Sequence, residues 1–360
     1  MHLNKSRFYS WLSKFLVLNG LHTFYFSFKL QRLVDSRMLR AYNLIHHFLC
    51  VMAVVRMLYI SHENPRVCIS TLTMCGTTAC NIVTCWQGRH LRKVFKQLLH
   101  LDKKYFKGQP SGYPLNIRYY MKMLLVVITL TRIHIFYPIY MKSVFSSLFV
   151  LNVVSYWLLY NMLLAAVLEF YSVLWQMCRN YKLINDQMSQ LLARSRQRNR
   201  AVKMRRWLHL YSKMLRITQQ VCRQYENCAI FVLACKSWFQ ITFGYEIFVM
   251  LAAPKSLDLS LSMRIFVILS YLLDAFNLYF GTDIAEHFTQ LREDSLRIMR
   301  ETTRMDRLLS VFTLELSLHP KRIEFLNVFA FDRKLTLTVM AKSMLYTICW
   351  LQADYMTLKR

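Results

Sequence analysis

Seven apolar stretches, separated by segments whose basic charge alternates between heavy and light, leave this chain few folds to choose from. The stretches are Ala41–Ile60, Val67–Gln87, Met121–Tyr140, Val144–Tyr171, Glu226–Ala252, Leu261–Gly281 and Thr336–Gln352. From the N-terminal segment to the tail, the intervening segments carry 7, 1, 8, 1, 12, 2, 9 and 2 lysines and arginines, with Arg264, at the start of the sixth stretch, counted in the segment before it. Alternate compartments thus hold 36 and 6, and five more, Arg56, Lys122, Arg132, Lys236 and Lys342, fall inside the stretches. Lysine and arginine collect on the cytoplasmic side of membrane proteins. Lipid offers no partner for backbone polar groups, so an apolar span must be a helix or part of a closed barrel, and lengths near twenty residues select helices. The expected fold is an all-α polytopic membrane protein of seven transmembrane helices, with the N-terminus inside and the C-terminus outside.

That reading also explains a formal charge of +28 in a chain that is 55% hydrophobic. A basic soluble protein would suggest a nucleic-acid partner. Here the charge lies between membrane spans, so no nucleic acid is expected, and the run from Arg194 to Arg206 reads as a solvated inside turn near anionic lipid. Cys68, Cys75, Cys80 and Cys85 share one apolar stretch and read as membrane-helix thiols, not a disulfide framework. Residues 15–28 are interrupted by Asn19, Gly20 and His22, and no small-residue cleavage site follows, so insertion is expected to fall to the first span.

The inside segments have helical periodicity. Trp207, Leu210, Tyr211, Met214, Ile217 and Val221 recur at three- and four-residue spacing, leading into the fifth span. Leu183, Ile184, Met188, Leu191 and Leu192 suggest a counterpart descending from the fourth, and Leu291, Ile298, Met305, Leu308, Leu309 and Phe312 a third helix before the seventh. The expected organisation is a cytoplasmic segment over 1–40, then spans one to six over 41–281 with helical cytoplasmic loops at 88–120 and 172–225. A cytoplasmic helical segment over 282–335 precedes the last span and a short extracellular tail over 336–360.

The last span has one polar side. At 100° per residue, Thr338, Lys342, Leu345, Cys349 and Gln352 share one third of its circumference. Ammonium and amide groups inside a membrane need a partner or water, so this face is expected to meet protein or an aqueous path. The same stretch carries a resemblance. Tyr346, five mostly apolar residues and Gln352 look like the C-terminal signature of insect gustatory receptors, Thr-Tyr, five hydrophobics, Gln-Phe. The lead-in through His319-Pro320 and Phe325 to Thr336 is similar too. The specific match covers roughly the last 40 residues, with Leu345 where the family has Thr and Ala353 where it has Phe.

The resemblance implies a ligand-gated cation channel that detects small-molecule tastants, bitter compounds among them. It implies a homo-tetramer, or a hetero-tetramer with related subunits, joined by a cytoplasmic helical layer. The chain would then sit in the plasma membrane of gustatory neurons, over dendrite, axon and cell body. Gln352 would line the narrowest part of the pore, with Tyr346 supporting it and Cys349 and Leu345 on the same gating helix. Ligand candidates, from the outer halves of spans three to six, are His134, Tyr137, Trp157, Phe239, Phe243 and Tyr271, since small-molecule pockets are mostly apolar with a few placed polar groups. Asp274 is expected to pair with Lys236 or Arg132 as a structural neutralisation. No cofactor or metal is expected. Catalysis is disfavoured: His46, His47 and His134 have no carboxylate at useful spacing, and no glycine-rich phosphate loop is present. A heptahelical receptor acting through a soluble partner is the other reading left open, and a multi-span membrane enzyme is the weaker third.

Overall fold

The computed structural model describes residues 5–27, 29–30, 32–61, 65–86, 89–106, 113–138, 149–193, 200–252, 261–302, 322–325 and 329–358. The chain begins with α1 (Lys5–Leu18), then a hairpin of β1 (Phe24–Ser27) and β2 (Arg32–Asp35). The helices α2 (Arg37–Ser61), α3 (Pro65–Trp86), α4 (Arg89–Tyr105) and α5 (Tyr113–Thr131) follow, and α5 continues into a π-helical turn at Arg132–Phe136. Three long helices come next: α6 (Phe149–Ala193), α7 (Arg200–Ala252) and α8 (Leu261–Thr302). Two-residue strands β3 (Glu324–Phe325) and β4 (Phe329–Ala330) pair antiparallel before α9 (Arg333–Leu358).

Five of these helices, α2, α5, α6, α7 and α8, are long and apolar enough to cross a membrane. The seven apolar stretches map onto α2, α3, α5, α6, α7, α8 and α9. Positions 139–140 of the third and 144–148 of the fourth lie outside the described residues. The outward faces of α2, α5 and α8 expose Leu44, Phe48, Leu49, Met52, Leu124, Val127, Ile268 and Leu272. In water such a surface would drive association. Against lipid tails it matches its solvent.

The helix expected to descend from the fourth span, and the one leading into the fifth, are the second half of α6 and the first half of α7, each continuous with its span. Likewise Leu291 and Ile298 continue α8. Met305, Leu308, Leu309 and Phe312 lie outside the described residues, as do His319 and Pro320. The continuation is stable because its apolar faces meet each other. From Tyr171 to Asn185, α6 is buried at every position but Lys182. It packs Tyr181 edge-on to Tyr211 of α7 and Phe288 of α8. Met188, Met214, Ile217, Val221 and Ile284 complete this core, each fully buried apolar side chain contributing roughly 1.5–3 kcal/mol. Several of the polar groups inside it are paired. Asn185 Nδ2 donates to Leu291 O at 2.8 Å, Ser295 Oγ donates to Asn185 Oδ1 at 2.7 Å, and Arg179 binds Asp102 of α4. We call this the basic end of the bundle.

The described residues between 5 and 40 form a helix and a hairpin. Gly20, at φ +73°, closes α1 with paired bonds, Leu21 N to Leu16 O and Gly20 N to Val17 O, both 3.0 Å. A Cβ there would stand 2.5 Å from His46 Nδ1, so the turn needs glycine for space as well as conformation. The Gly20 carbonyl accepts from His47 Nε2 at 2.7 Å while Trp86 Nε1 donates to His47 Nδ1 at 3.1 Å, which fixes a neutral imidazole with its proton on Nε2. His22 meets Glu169 of α6 at 3.0 Å, and Asn43 Nδ2 donates to the His22 carbonyl at 2.7 Å. The N-terminal unit is thereby strapped across α2 and α6. The hairpin is a departure from an all-helical expectation.

Candidate functional site

In the middle of the bundle, polar side chains converge in a region of apolar walls. Arg132 is 1% exposed, Tyr160 1%, Asp274 0%, Lys236 4% and Lys122 0%. Lys236 Nζ lies 2.5 Å from Asp274 Oδ1 and 3.2 Å from the Tyr160 hydroxyl. Arg132 Nη2 donates to that hydroxyl at 2.8 Å, and the hydroxyl donates to Asp274 Oδ1 at 3.3 Å. One donation and two acceptances use the full capacity of a phenol oxygen. The expected neutralisation of Asp274 by Lys236 or Arg132 is therefore both at once, Lys236 directly and Arg132 through Tyr160. Lys122 stands apart, donating to Asn277 Oδ1 at 2.8 Å and lying 5.5 Å from the Tyr171 ring. Arg132 Nε and Nη1 and Asp274 Oδ2 are buried with no hydrogen-bond partner among the described residues.

Local geometry puts Arg132 there. The π turn widens the end of α5, with Tyr137 N bonded back to Arg132 O, and buries Arg132 and Ile133 on the inner side. Such single π turns add a residue without ending the helix and recur at functional sites. Trp157 Nε1 donates to Ile133 O at 2.9 Å, pinning α6 to the turn.

On the side of this cluster away from the basic end lies an aromatic layer. Tyr137 stacks on Tyr156 at 4.2 Å, His134 tilts against Trp157 at 4.9 Å, and Phe243 meets Phe266 edge-on at 6.5 Å. Phe239 links it to the charges, 6.1 Å from Phe243 and 6.0 Å from Tyr160. Five of the six ligand candidates, His134, Tyr137, Trp157, Phe239 and Phe243, thus fall in one neighbourhood, though His134 itself is exposed. Tyr271 does not join them. It is half-buried on α8 beside Gln240 and Gly244 of α7. Sequence reasoning missed Tyr156, Tyr160 and Phe266. A signal existed for the first two, which stand four apart on one helix and therefore share its inner face.

The last helix is seated by polar contacts at its start. Asp332 caps it, accepting from Leu335 N at 3.1 Å. Asp283 of α8 binds both Arg118 of α5, at 3.2 Å, and Arg333, and Thr282 Oγ1 bonds Thr336 Oγ1 at 2.6 Å. Further along, the buried face of α9 is Thr336, Ser343 and Thr347, the last donating to Ile241 O of α7 at 3.3 Å. Trp350 packs edge-on to Trp238 at 5.1 Å. The face made by Thr338, Lys342, Leu345, Cys349 and Gln352 is exposed, diametrically opposite. Tyr346 is also exposed, at 55%. Among the described residues of one copy, that polar face packs against no other element.

The family model described as 7tm chemosensory receptor matches residues 7–357. Two solved structures share the fold. The insect olfactory receptor OR5 from Machilis hrabei in complex with eugenol has a TM-score of 0.69 at 12% identity, with 96% of this chain and 98% of that chain covered. The structure of the same receptor described without eugenol gives 0.68 at 13%, with the same coverage. No curated protein sequence matches.

Proposed function

This chain belongs to the chemosensory receptor family, and we propose that it is a gustatory receptor subunit, forming with other copies or with related subunits a tetrameric ligand-gated cation channel. The observation that carries this reading is the outward face of α9. Lys342 and Gln352 point away from the rest of the fold on a membrane helix whose other side is already seated against α7 and α8. An ammonium and an amide left against lipid are costly. Four such helices around an axis give them one another and water instead.

In that arrangement Gln352 forms a ring of neutral amides, which can close on itself or coordinate a weakly hydrated cation without holding it. Tyr346, Leu345 and Cys349 lie on the same helix and set its packing against neighbours. Lys342 stands ten residues before Gln352, about 15 Å along the axis, so its charge falls outside the narrow ring. The basic end is then cytoplasmic, as the distribution of lysine and arginine favours, and the helical layer of α4, α6, α7 and α8 lies below the membrane. The aromatic layer receives the small-molecule tastant, bitter compounds being the class the resemblance favours. A ligand opens the channel only if it binds the open arrangement of α9 better than the closed one. The site of action is the plasma membrane of a sensory neuron.

Oxidative cross-linking tests the assembly directly. Cys349 is exposed on the proposed axis-facing side. Copper phenanthroline treatment of membranes should give linked dimers on a non-reducing gel, absent in Cys349→Ser. No Cys349-dependent dimer would show that this face does not meet another copy. Recording Gln352→Ala then tests the pore, with altered cation selectivity or block expected.

A further inference from the structure

We propose that a cavity between α6, α7 and α8, nearer the basic end than the aromatic layer, binds a short-chain monocarboxylate, with Lys236 as its cationic anchor. The cavity, of about 60 Å³, is walled by Ala166, Phe170, Tyr225 and Ala229 among others, and has Lys236 and Phe331, next to the start of α9, in its lining. Its surface is otherwise almost wholly apolar.

Charge balance points to the ligand class. Lys236, Arg132 and Lys122 are buried, and among the described residues one carboxylate, Asp274, is in contact with them, directly to Lys236 and through Tyr160 to Arg132. The next buried acid, Glu169, is engaged by His22 and Tyr225. Buried cations need an anion. An ammonium carries three N–H donors, and two of those on Lys236 go to Asp274 and Tyr160. Two nitrogens of Arg132 behind it are without a partner among the described residues. A monoanion with an apolar body fits both the excess charge and the apolar walls. Size sets its length: a cavity of 150 Å³ holds benzene, and this one is less than half that, so a tail of about two to four carbons is the match.

Occupancy would reach the last helix through Phe331. Its ring lies 3.5 Å from where a Gly281 Cβ would stand and packs against Phe170 and Phe325, two residues before α9 begins. The binding claim is independent of the channel reading; only an effect of binding on ion flow rests on it.

The test uses the purified full-length chain in lipid nanodiscs, its thermal unfolding titrated with butyrate, butyramide or chloride at constant ionic strength. Butyrate should raise the midpoint saturably, and butyramide should bind about tenfold more weakly or worse, the scale of one hydrogen bond to a charged group. Ala229→Leu, which fills the cavity and leaves every charge in place, should abolish the butyrate shift. Asp274→Asn, which removes the competing carboxylate, should enlarge it. Equal shifts with butyrate and butyramide, or a butyrate shift that survives Ala229→Leu, would overturn the proposal. So would chloride matching butyrate, since the site would then be one for inorganic anions. Coupling is read separately: butyrate should change the alkylation rate of Cys349 in the native chain and not in Phe331→Ala. An unchanged rate in the native chain would remove the coupling.

Discussion

Asp274 and Lys236 form an ion pair, yet removing one should cost much more than removing the other. Asp274→Asn leaves Lys236 and Arg132 both buried without an anion. Breaking a buried pair in this way costs about 3–5 kcal/mol. Lys236→Met leaves Asp274 still accepting from Tyr160, with the Arg132 guanidinium bound to the same hydroxyl. The remaining cation neutralises the carboxylate, so the cost falls to that of a charged hydrogen bond, about 1.5–3 kcal/mol. Thermal unfolding of the purified variants in one detergent, followed by tryptophan fluorescence, gives the order: native above Lys236→Met above Asp274→Asn. The double variant should be less destabilised than the sum of the singles, because Asp274→Asn leaves Lys236 as a charge whose removal then relieves the fold. Lys236→Met falling below Asp274→Asn would refute a shared network and leave an isolated pair, and additivity within about 0.5 kcal/mol would refute the pair itself.

Three further outcomes follow from the packing and the titrating groups. Gly76→Leu should destabilise by roughly 1–3 kcal/mol, because a Cβ there stands 2.4 Å from the Phe231 ring; Phe231→Ala in the same chain should recover much of it, and no recovery would mean that α3 and α7 do not meet there. His287, at the basic end, has its pKa lowered from 6.5 by burial and then by the Arg118 charge. The unfolded chain therefore binds the proton more readily, so stability should decline as pH falls through 6.5 and level off below the lowered folded value. His287→Gln should flatten that decline in thermal melts, and an unchanged pH profile would remove His287 as its source. In cells responding to an aromatic tastant, Trp157→Ala should raise the half-maximal concentration about tenfold or more while surface expression holds. An unchanged dose response would place the ligand away from the aromatic layer.

How much of this was legible in the sequence varies with the physics involved. Five of the seven expected spans were, because lipid demands long apolar helices. The helical layer was legible as faces, since Tyr211, Met214, Ile217 and Val221 keep a helical period. Its continuity with the spans was not, because a helix leaving lipid changes polarity without changing backbone, and that change reads as a loop. The hairpin was hidden for another reason. Phe24–Ser27 and Arg32–Asp35 are short, and no Asn-Gly or Asp-Gly pair lies between them. In the site, Asp274 had two candidate partners on paper, and only the position of Tyr160 joins them. Five ligand candidates gathered because the π turn rotates Tyr137 inward. Tyr271 did not, since one helical face decides whether a tyrosine meets α5 or α7.

The seam under α9 has a mechanical consequence. Thr336, Ser343 and Thr347 are small, and the single hydroxyl hydrogen of Thr347 is shared between Ile241 O, at 3.3 Å, and Ser343 O of its own helix, at 2.9 Å. Bonds satisfied within the helix travel with it. Opposite them stands Gly244, whose missing side chain leaves Thr347 Oγ1 3.1 Å from where a Cβ would be. Along these three residues the seam has few interlocking knobs to disengage, whereas Trp350, edge-on to Trp238 at 5.1 Å, is a contact that α9 must carry or break to move. The seam works as a plain bearing, with the Asp283–Arg333 pair and the Asp332 cap as the fixed pivot at one end. Replacing Thr347 with leucine would put a tooth into that bearing.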